Sequence, residues 1–88
     1  MSIRKDFEDL LGKLQVERDE ISLKLHLASM EAKQEFEQAE KQWHRLKIKA
    51  AEIADDSVET SEEFIAKAKI VGEELKDAYY RISKRLAD

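Results

Sequence analysis

The sequence predicts an all-α fold: a long antiparallel helical hairpin, coiled-coil-like, that completes a bundle by homodimerisation. Charged residues make up 41% of the 88 residues and apolar residues 42%, with no proline and only two glycines. This composition is typical of long helices and coiled coils. Apolar residues recur at alternating three- and four-residue spacings, the period of coiled-coil packing. One short break divides this pattern, so we expect a single helical domain over residues 1–88.

The first predicted helix runs from about residue 3 to residue 54, which is roughly 75 Å at 1.5 Å per residue. Ser2 is placed to cap its first turn. Asp55 and Asp56 would lie at the negative end of the helix dipole, where carboxylates are unfavourable. We therefore expect the helix to end there and a turn to occupy residues 55–60.

The second predicted helix runs from about residue 61 to residue 87. Thr60 and Glu63 have the spacing of a capping box, in which each side chain bonds the backbone N–H of the other residue. Acidic residues lie in the first turn of this helix, and basic residues, including Lys84 and Arg85, lie in its last turns. Both charges interact favourably with the helix dipole. The two helices should therefore be joined by a tight reversal.

Apolar stripes on the two helices match when the chain folds back at residues 57–60. Residue i then faces about residue 117 − i, and seven apolar layers fall into register with coiled-coil spacing. The predicted hairpin core is Ala32, Phe36, Ala39, Trp43, Leu46, Ala50, Ile53, Phe64, Ala68, Val71, Leu75, Ala78, Ile82 and Leu86.

The first half of helix one extends beyond this hairpin and carries apolar residues on two faces. An apolar overhang of roughly 28 residues is a larger exposed patch than soluble monomers tolerate. Gly72 also indicates the close approach of a further helix, since it lies one heptad from Ile65 and from Tyr79. We therefore predict a homodimer whose self-association interface contains Phe7, Leu10, Leu11, Leu14, Val16, Ile21, Leu23, Leu25, Leu27, Met30, Ile65 and Tyr79.

Two other arrangements would also cover the overhang. The chain could bend near residues 27–29 and close a three-helix bundle as a monomer, or a different protein could bind there. A sharp bend usually requires proline, a pair of small residues or a bulge. No glycine or proline lies in this segment, so the sequence favours the dimer.

The chemistry of the chain does not indicate an enzyme, and we expect no cofactor and no metal. It has no cysteine, no glycine-rich phosphate loop and no Gly-x-Ser-x-Gly motif. A di-iron bundle would need Glu-x-x-His, but Lys41 precedes His44 at that spacing and Leu23 precedes His26. His26 is expected at the edge of the bundle, with a pH-responsive interface as the alternative.

Trp43 lies among basic residues, a pattern that can bind nucleic acid or anionic membranes. The hairpin register assigns it to the core instead, opposite Leu75. A net charge of −4 also disfavours nucleic acid, and we expect neither nucleic acid nor a membrane surface as partner. The charged N-terminus lacks the apolar core of a signal peptide, so we predict a cytoplasmic protein.

Two short stretches resemble a group of bacterial helical proteins of unassigned function. They are Arg18-Asp19-Glu20-Ile21, which leads into Leu25-His26-Leu27-Ala28, and Glu35-Phe36-Glu37, which is followed by Trp43. The shared features are the Leu-His-Leu-Ala run and the later tryptophan. The resemblance implies a bacterial, cytosolic origin and carries no activity, ligand or site with it.

The function predicted from these features is a non-enzymatic protein–protein interaction module that self-associates through the N-terminal half of helix one. A second, unidentified protein partner would bind the charged faces that remain. The alternative is an amphipathic protein of membrane surfaces or of the stress response.

Overall fold

The described part of the chain forms three α-helices and one short turn of 3₁₀-helix. The computed structural model describes residues 3–55 and 59–87. Helix α1 spans Ile3–Lys24, the 3₁₀ turn spans Leu25–Leu27, α2 spans Met30–Ala54 and α3 spans Glu62–Ala87. Within those ranges there is no β-strand, and the predicted all-α fold is confirmed. The predictions made for Ser2, for Asp56 and for turn residues 57 and 58 lie outside the described residues.

The single helix predicted over residues 3–54 is wrong, because the chain turns a corner between α1 and α2. After the 3₁₀ turn, Ala28 is extended, with φ −83° and ψ 157°, and Ser29 is extended as well. The Ala32 N–H donates a hydrogen bond to Ser29 Oγ at 3.2 Å. Serine is a favoured helix N-cap because its oxygen satisfies a free N–H of the first turn. Ser29 therefore starts a new helix without any glycine or proline at the bend.

The corner folds α1 back onto α3 of the same chain and closes a three-helix bundle. Leu10 lies beside Gly72, and Ile21 lies beside Ser83, so residue i of α1 is next to residue i + 62 of α3. The two helices therefore run parallel. Helix α3 packs closely against both other helices, whereas the backbones of α1 and α2 approach each other at few points.

Helices α2 and α3 form the antiparallel hairpin at the predicted register. Ala39 lies beside Ala78 and Glu35 beside Ile82, and the numbers of each pair add to 117. At the far end of the same interface, Arg85 donates to Glu31 at 2.9 Å and pairs with Glu35 at 3.0 Å. Helix α3 thus begins and ends opposite the predicted parts of α2.

The start of α3 differs from the predicted capping box. The Phe64 N–H donates to Ser61 Oγ at 3.1 Å, so Ser61 caps the helix in place of Thr60. Thr60 Oγ1 instead donates to the Glu52 carbonyl at 3.5 Å. The Glu63 carboxylate pairs with Lys67 at 3.5 Å, one turn further along the same helix.

The core runs along all three helices and includes the hairpin set predicted above. Nine of its fourteen members are buried. The other five are half-buried: Ala50, Phe64, Val71, Ala78 and Leu86. Helix α1 adds a second apolar layer on the neighbouring face of α3, and both layers belong to one core. The side chains that line this α1–α3 layer are Phe7, Leu10, Leu14, Ile21, Ile65 and Tyr79.

Candidate functional site

Six of the twelve residues predicted to bind a second chain are buried inside this one. Their assignment to a dimer interface is wrong, because α1 and α3 of the same molecule cover them. Leu14 and Tyr79 are completely buried, and Gly72 of α3 lies against Leu10 and Leu14 of α1. There, a Cβ atom would lie 2.8 Å from Leu10 Cδ2. The six residues are Phe7, Leu10, Leu14, Ile21, Ile65 and Tyr79.

Leu11 and Leu25 are half-buried against the core, and the remaining four residues of the predicted interface face solvent. Their exposed fractions are 57% for Val16, 76% for Leu23, 83% for Leu27 and 72% for Met30. We call these four residues the outer seam.

The outer seam follows the face of α1 that is turned away from α3 and continues around the corner. Val16 and Leu23 are seven residues apart, which places them two turns apart on one face of α1. Leu27 ends the 3₁₀ turn and Met30 begins α2. A run of large apolar side chains in contact with water is a feature that marks interaction surfaces.

Other exposed apolar residues stand singly on the outer faces of α2 and α3. They are Ile48, Ile70 and Tyr80. Isolated apolar side chains are normal on protein surfaces, so these three do not indicate a site. They do provide positions for matched control substitutions.

The histidines lie outside the core and are not assembled into a cluster. His26 and His44 are both exposed, one in the 3₁₀ turn and the other on α2. Over residues 3–55 and 59–87, no three His, Cys, Asp or Glu side chains are grouped in a way that could hold a metal ion. His26 thus occupies the edge position that the sequence indicates.

A half-buried ion pair joins α1 to α2 above the central tyrosine. Arg18 Nε donates to Glu40 Oε1 at 2.5 Å, and Arg18 Nη2 donates to Glu40 Oε2 at 2.8 Å. This bidentate geometry is the strong form of an arginine–carboxylate contact. The hydrogen bond with Glu40 raises the pKa of Arg18. The pairing was not predicted, because the two residues become neighbours only when the chain turns at the corner.

The Tyr79 hydroxyl lies beneath this ion pair and is buried without a hydrogen-bond partner among the described residues. Burial raises the pKa of Tyr79 above its usual value, and the nearby Glu40 carboxylate adds to the effect. A hydroxyl in this state stays neutral and is a poor nucleophile at neutral pH. The arrangement therefore has no feature that would activate Tyr79 for chemistry.

Trp43 belongs to the core, with only 3% of its surface exposed. The Arg18 guanidinium and the Lys47 ammonium each lie 6.0 Å from the centroid of its ring. Because the ring is covered, it cannot stack on a nucleic-acid base. The basic residues around it do not form the aromatic–basic patch considered from the sequence.

An open apolar groove of about 350 Å³ lies between α1 and α2. We call it the α1–α2 groove. It lies where the backbones of α1 and α2 have few close contacts, whereas α3 packs closely against both helices. The side chains that line it include Phe7, Leu11, Trp43, Lys47, Ala50 and Ile53. Sequence reasoning missed this groove, since it depends on the distance between two helices that were predicted to be one.

Comparison with protein-family models, with curated proteins and with solved structures gives no match to this chain. The resemblance noted for Arg18 to Trp43 stays a prediction. Among the described helices, none is both long and apolar enough to cross a membrane.

Proposed function

We propose that the protein is a non-enzymatic helical interaction module that binds a second copy of itself through the outer seam. The observation that carries this proposal is the exposure of Val16, Leu23, Leu27 and Met30, each more than half open to water. Burying side chains of this size is favourable by about 1.5–3 kcal/mol each when the burial is complete. A partner surface that covers them would gain much of that free energy.

A second copy is the partner that the outer seam suits best. Most soluble oligomers are symmetric, and a two-fold interface uses the same patch on both molecules. An apolar seam meets this requirement because it is complementary to itself. We propose the cytoplasm as the site of action, the location expected from the sequence.

The experiment measures the mass of the particle in solution by light scattering after gel filtration. The wild-type chain should give twice the monomer mass at tens of micromolar. The double variant Leu23→Glu/Leu27→Glu should give the monomer mass with its helical circular dichroism unchanged, because both side chains point into solvent.

The matched control is the double variant Ile48→Glu/Ile70→Glu, which places the same charges on exposed positions of α2 and α3. It should keep the dimer mass. A wild-type monomer would contradict the proposal, and so would a control variant that dissociates equally. Co-flotation of the wild-type chain with lipid vesicles, lost in the Leu23→Glu/Leu27→Glu variant, would assign the outer seam to a membrane surface instead.

A further inference from the structure

We propose that two copies of the chain pair their α1 helices in antiparallel directions, with the two-fold axis beside Leu23. This inference rests on the proposed dimer and adds the direction of the two helices and the charged contacts between them. The apolar residues of the outer seam allow either direction, because apolar attraction is not directional. The direction is therefore decided by the charged residues that border the outer seam.

Acidic residues border the outer seam before Leu23, and basic residues border it after Leu23. Asp19 and Glu20 precede Leu23 on α1, and both are exposed. Neighbouring residues of a helix are turned by about 100°, so these two carboxylates lie on opposite borders of the seam. Lys24 ends α1 and His26 lies in the 3₁₀ turn that follows it directly, and both are exposed as well. The surface thus changes from acidic to basic within about two helical turns.

These bordering charges are little used within the molecule. Among residues 3–55 and 59–87, neither Glu20 nor Lys24 forms an ion pair, although the two are spaced four residues apart on one helix. Asp19 contacts Arg18 at 3.6 Å, and its side chain is still 59% exposed. The Arg18 guanidinium makes its shorter contacts with Glu40. The borders of the outer seam therefore retain their charges for contact with a second chain.

Antiparallel pairing brings opposite charges together. With the axis beside Leu23, residues whose numbers add to about 45 lie opposite each other. Glu20 of each copy then faces Lys24 of the second copy. On the other border, Asp19 faces His26 of the second copy, whose ring N–H can donate a hydrogen bond to a carboxylate. The two-fold axis makes each of these contacts occur twice.

Parallel pairing brings like charges together instead. In a parallel helix pair, equal residue numbers lie at the same level, and each border of the seam faces the other border of the second copy. Asp19 of each copy would then face Glu20 of the other, so that four carboxylates gather at one level. Like charges placed opposite each other at an interface oppose association. The charges therefore select the antiparallel direction.

The antiparallel arrangement also covers the apolar residues of the outer seam. The two Leu23 side chains meet at the axis. Val16 of each copy lies opposite the stretch between Leu27 and Met30 of the other copy, so the single residue at one end of the seam meets the two at its other end. All four residues are more than half exposed in the single chain. One arrangement thus pairs both the charged borders and the apolar centre.

Charge reversal tests the contact between Glu20 and Lys24, with the dissociation constant of the dimer measured by analytical ultracentrifugation. Glu20→Lys should weaken the dimer about tenfold, because it replaces two ion pairs with two repulsive pairs. The exchanged variant Glu20→Lys/Lys24→Glu should return close to the wild-type value, since each pair is restored with its signs reversed. The control Glu74→Lys makes the same change at an exposed position of α3 and should leave the dissociation constant unaltered. In a parallel dimer, Glu20→Lys would strengthen association, because the new ammonium would face Asp19.

The direction of the helices is measured independently by electron paramagnetic resonance with one spin label on each copy. Lys13→Cys provides the labelling site, at an exposed position of α1 in a chain without cysteine. In the antiparallel dimer each label lies about 14 Å from the two-fold axis, so the two labels are about 28 Å apart along the helices. In a parallel dimer they would be about 10 Å apart, the distance between two packed helices.

The outcomes separate this inference from the proposed self-association. A wild-type dimer with labels about 10 Å apart overturns antiparallel pairing and leaves self-association intact. The same holds for a dimer that Glu20→Lys strengthens, for an exchanged variant that stays as weak as Glu20→Lys, and for a Glu74→Lys control that weakens the dimer equally. A wild-type monomer contradicts both the self-association and the pairing derived from it.

Discussion

At the scale of single residues, the two glycines have opposite surroundings. Gly72 is buried, and Leu10 occupies the space that its missing side chain leaves. Gly12 lies in the interior of α1, yet a Cβ atom there would meet nothing within 4 Å. A helix-interior glycine costs about 1 kcal/mol relative to alanine. Gly72 offsets that cost through the close approach of α1 to α3, but Gly12 has no such contact within the described chain.

We therefore expect Gly12→Ala to stabilise the fold by about 0.5–1 kcal/mol. Gly72→Ala should gain the same helix propensity, but Leu10 Cδ2 must move to make room for the new Cβ atom, so its net stabilisation should be smaller than that of Gly12→Ala. Urea denaturation followed by circular dichroism measures both changes. A Gly72→Ala variant as stable as Gly12→Ala would show that the α1–α3 contact is looser than described.

Tyr79 provides a second prediction at this scale. Its hydroxyl is buried without a hydrogen-bond partner among residues 3–55 and 59–87, and an unsatisfied buried polar group costs about 1–3 kcal/mol. Tyr79→Phe should therefore leave the free energy of unfolding unchanged or raise it by about 1 kcal/mol. Tyr80→Phe, at an exposed position, is the control and should have little effect. A clear loss of stability in Tyr79→Phe would mean that the hydroxyl has a partner.

The same residue has a consequence at alkaline pH. Because burial raises the pKa of Tyr79 in the folded state, the unfolded chain loses this proton first, at about pH 10. The folded state therefore keeps its full free energy of unfolding below about pH 10, and this free energy decreases above that pH, where the unfolded chain releases the Tyr79 proton more readily. The free energy of unfolding of the wild-type chain should fall more steeply above this pH than that of Tyr79→Phe.

At the scale of helices and turns, Ser29 determines where α2 begins. Its side chain accepts a hydrogen bond from Ala32 N–H at 3.2 Å. Replacing an N-cap serine with alanine usually costs about 1 kcal/mol. We expect this loss in Ser29→Ala, whereas Ser22→Ala, at an exposed position in α1, should be neutral or slightly stabilising. Thermal or urea denaturation of the two variants tests the role of the cap. Equal free energies of unfolding for Ser29→Ala and Ser22→Ala would show that the cap does not stabilise α2.

The hairpin of α2 and α3 was predictable from the sequence, whereas the corner before α2 was not. Apolar residues repeat regularly from Ala32 to Ile53 and from Phe64 to Leu86, and only one register pairs them all. The corner depends on Ser29, a residue that is common inside helices as well as at their ends. Nothing local distinguishes these two roles, since the bend is stabilised by α1 packing on α3, far away in the sequence.

At the scale of the whole molecule, one apolar face of the first half of the chain is buried against α3 of the same chain. The two apolar faces of α1 were recognised from the sequence, and one of them, around Leu14 and Ile21, is now part of the core. The other face, around Val16 and Leu23, remains exposed. The outer seam was therefore contained in the predicted interface, while the α1–α2 groove required knowledge of how three helices are spaced.

The central claim, that α1 packs on α3 of its own chain, is tested most directly by a distance measured between spin labels. The chain has no cysteine, so Lys13→Cys and Lys76→Cys give two unique labelling sites, and these residues line the same small cavity. Electron paramagnetic resonance should give a short distance between the two spin labels, and this distance should persist after dilution with unlabelled protein. If the first helix were continuous, residue 13 would lie 28 residues before residue 41, which is the residue opposite residue 76 in the hairpin. The two labelled positions would then be about 42 Å apart. A distance near that value, or a short one that disappears on dilution, would contradict the three-helix bundle.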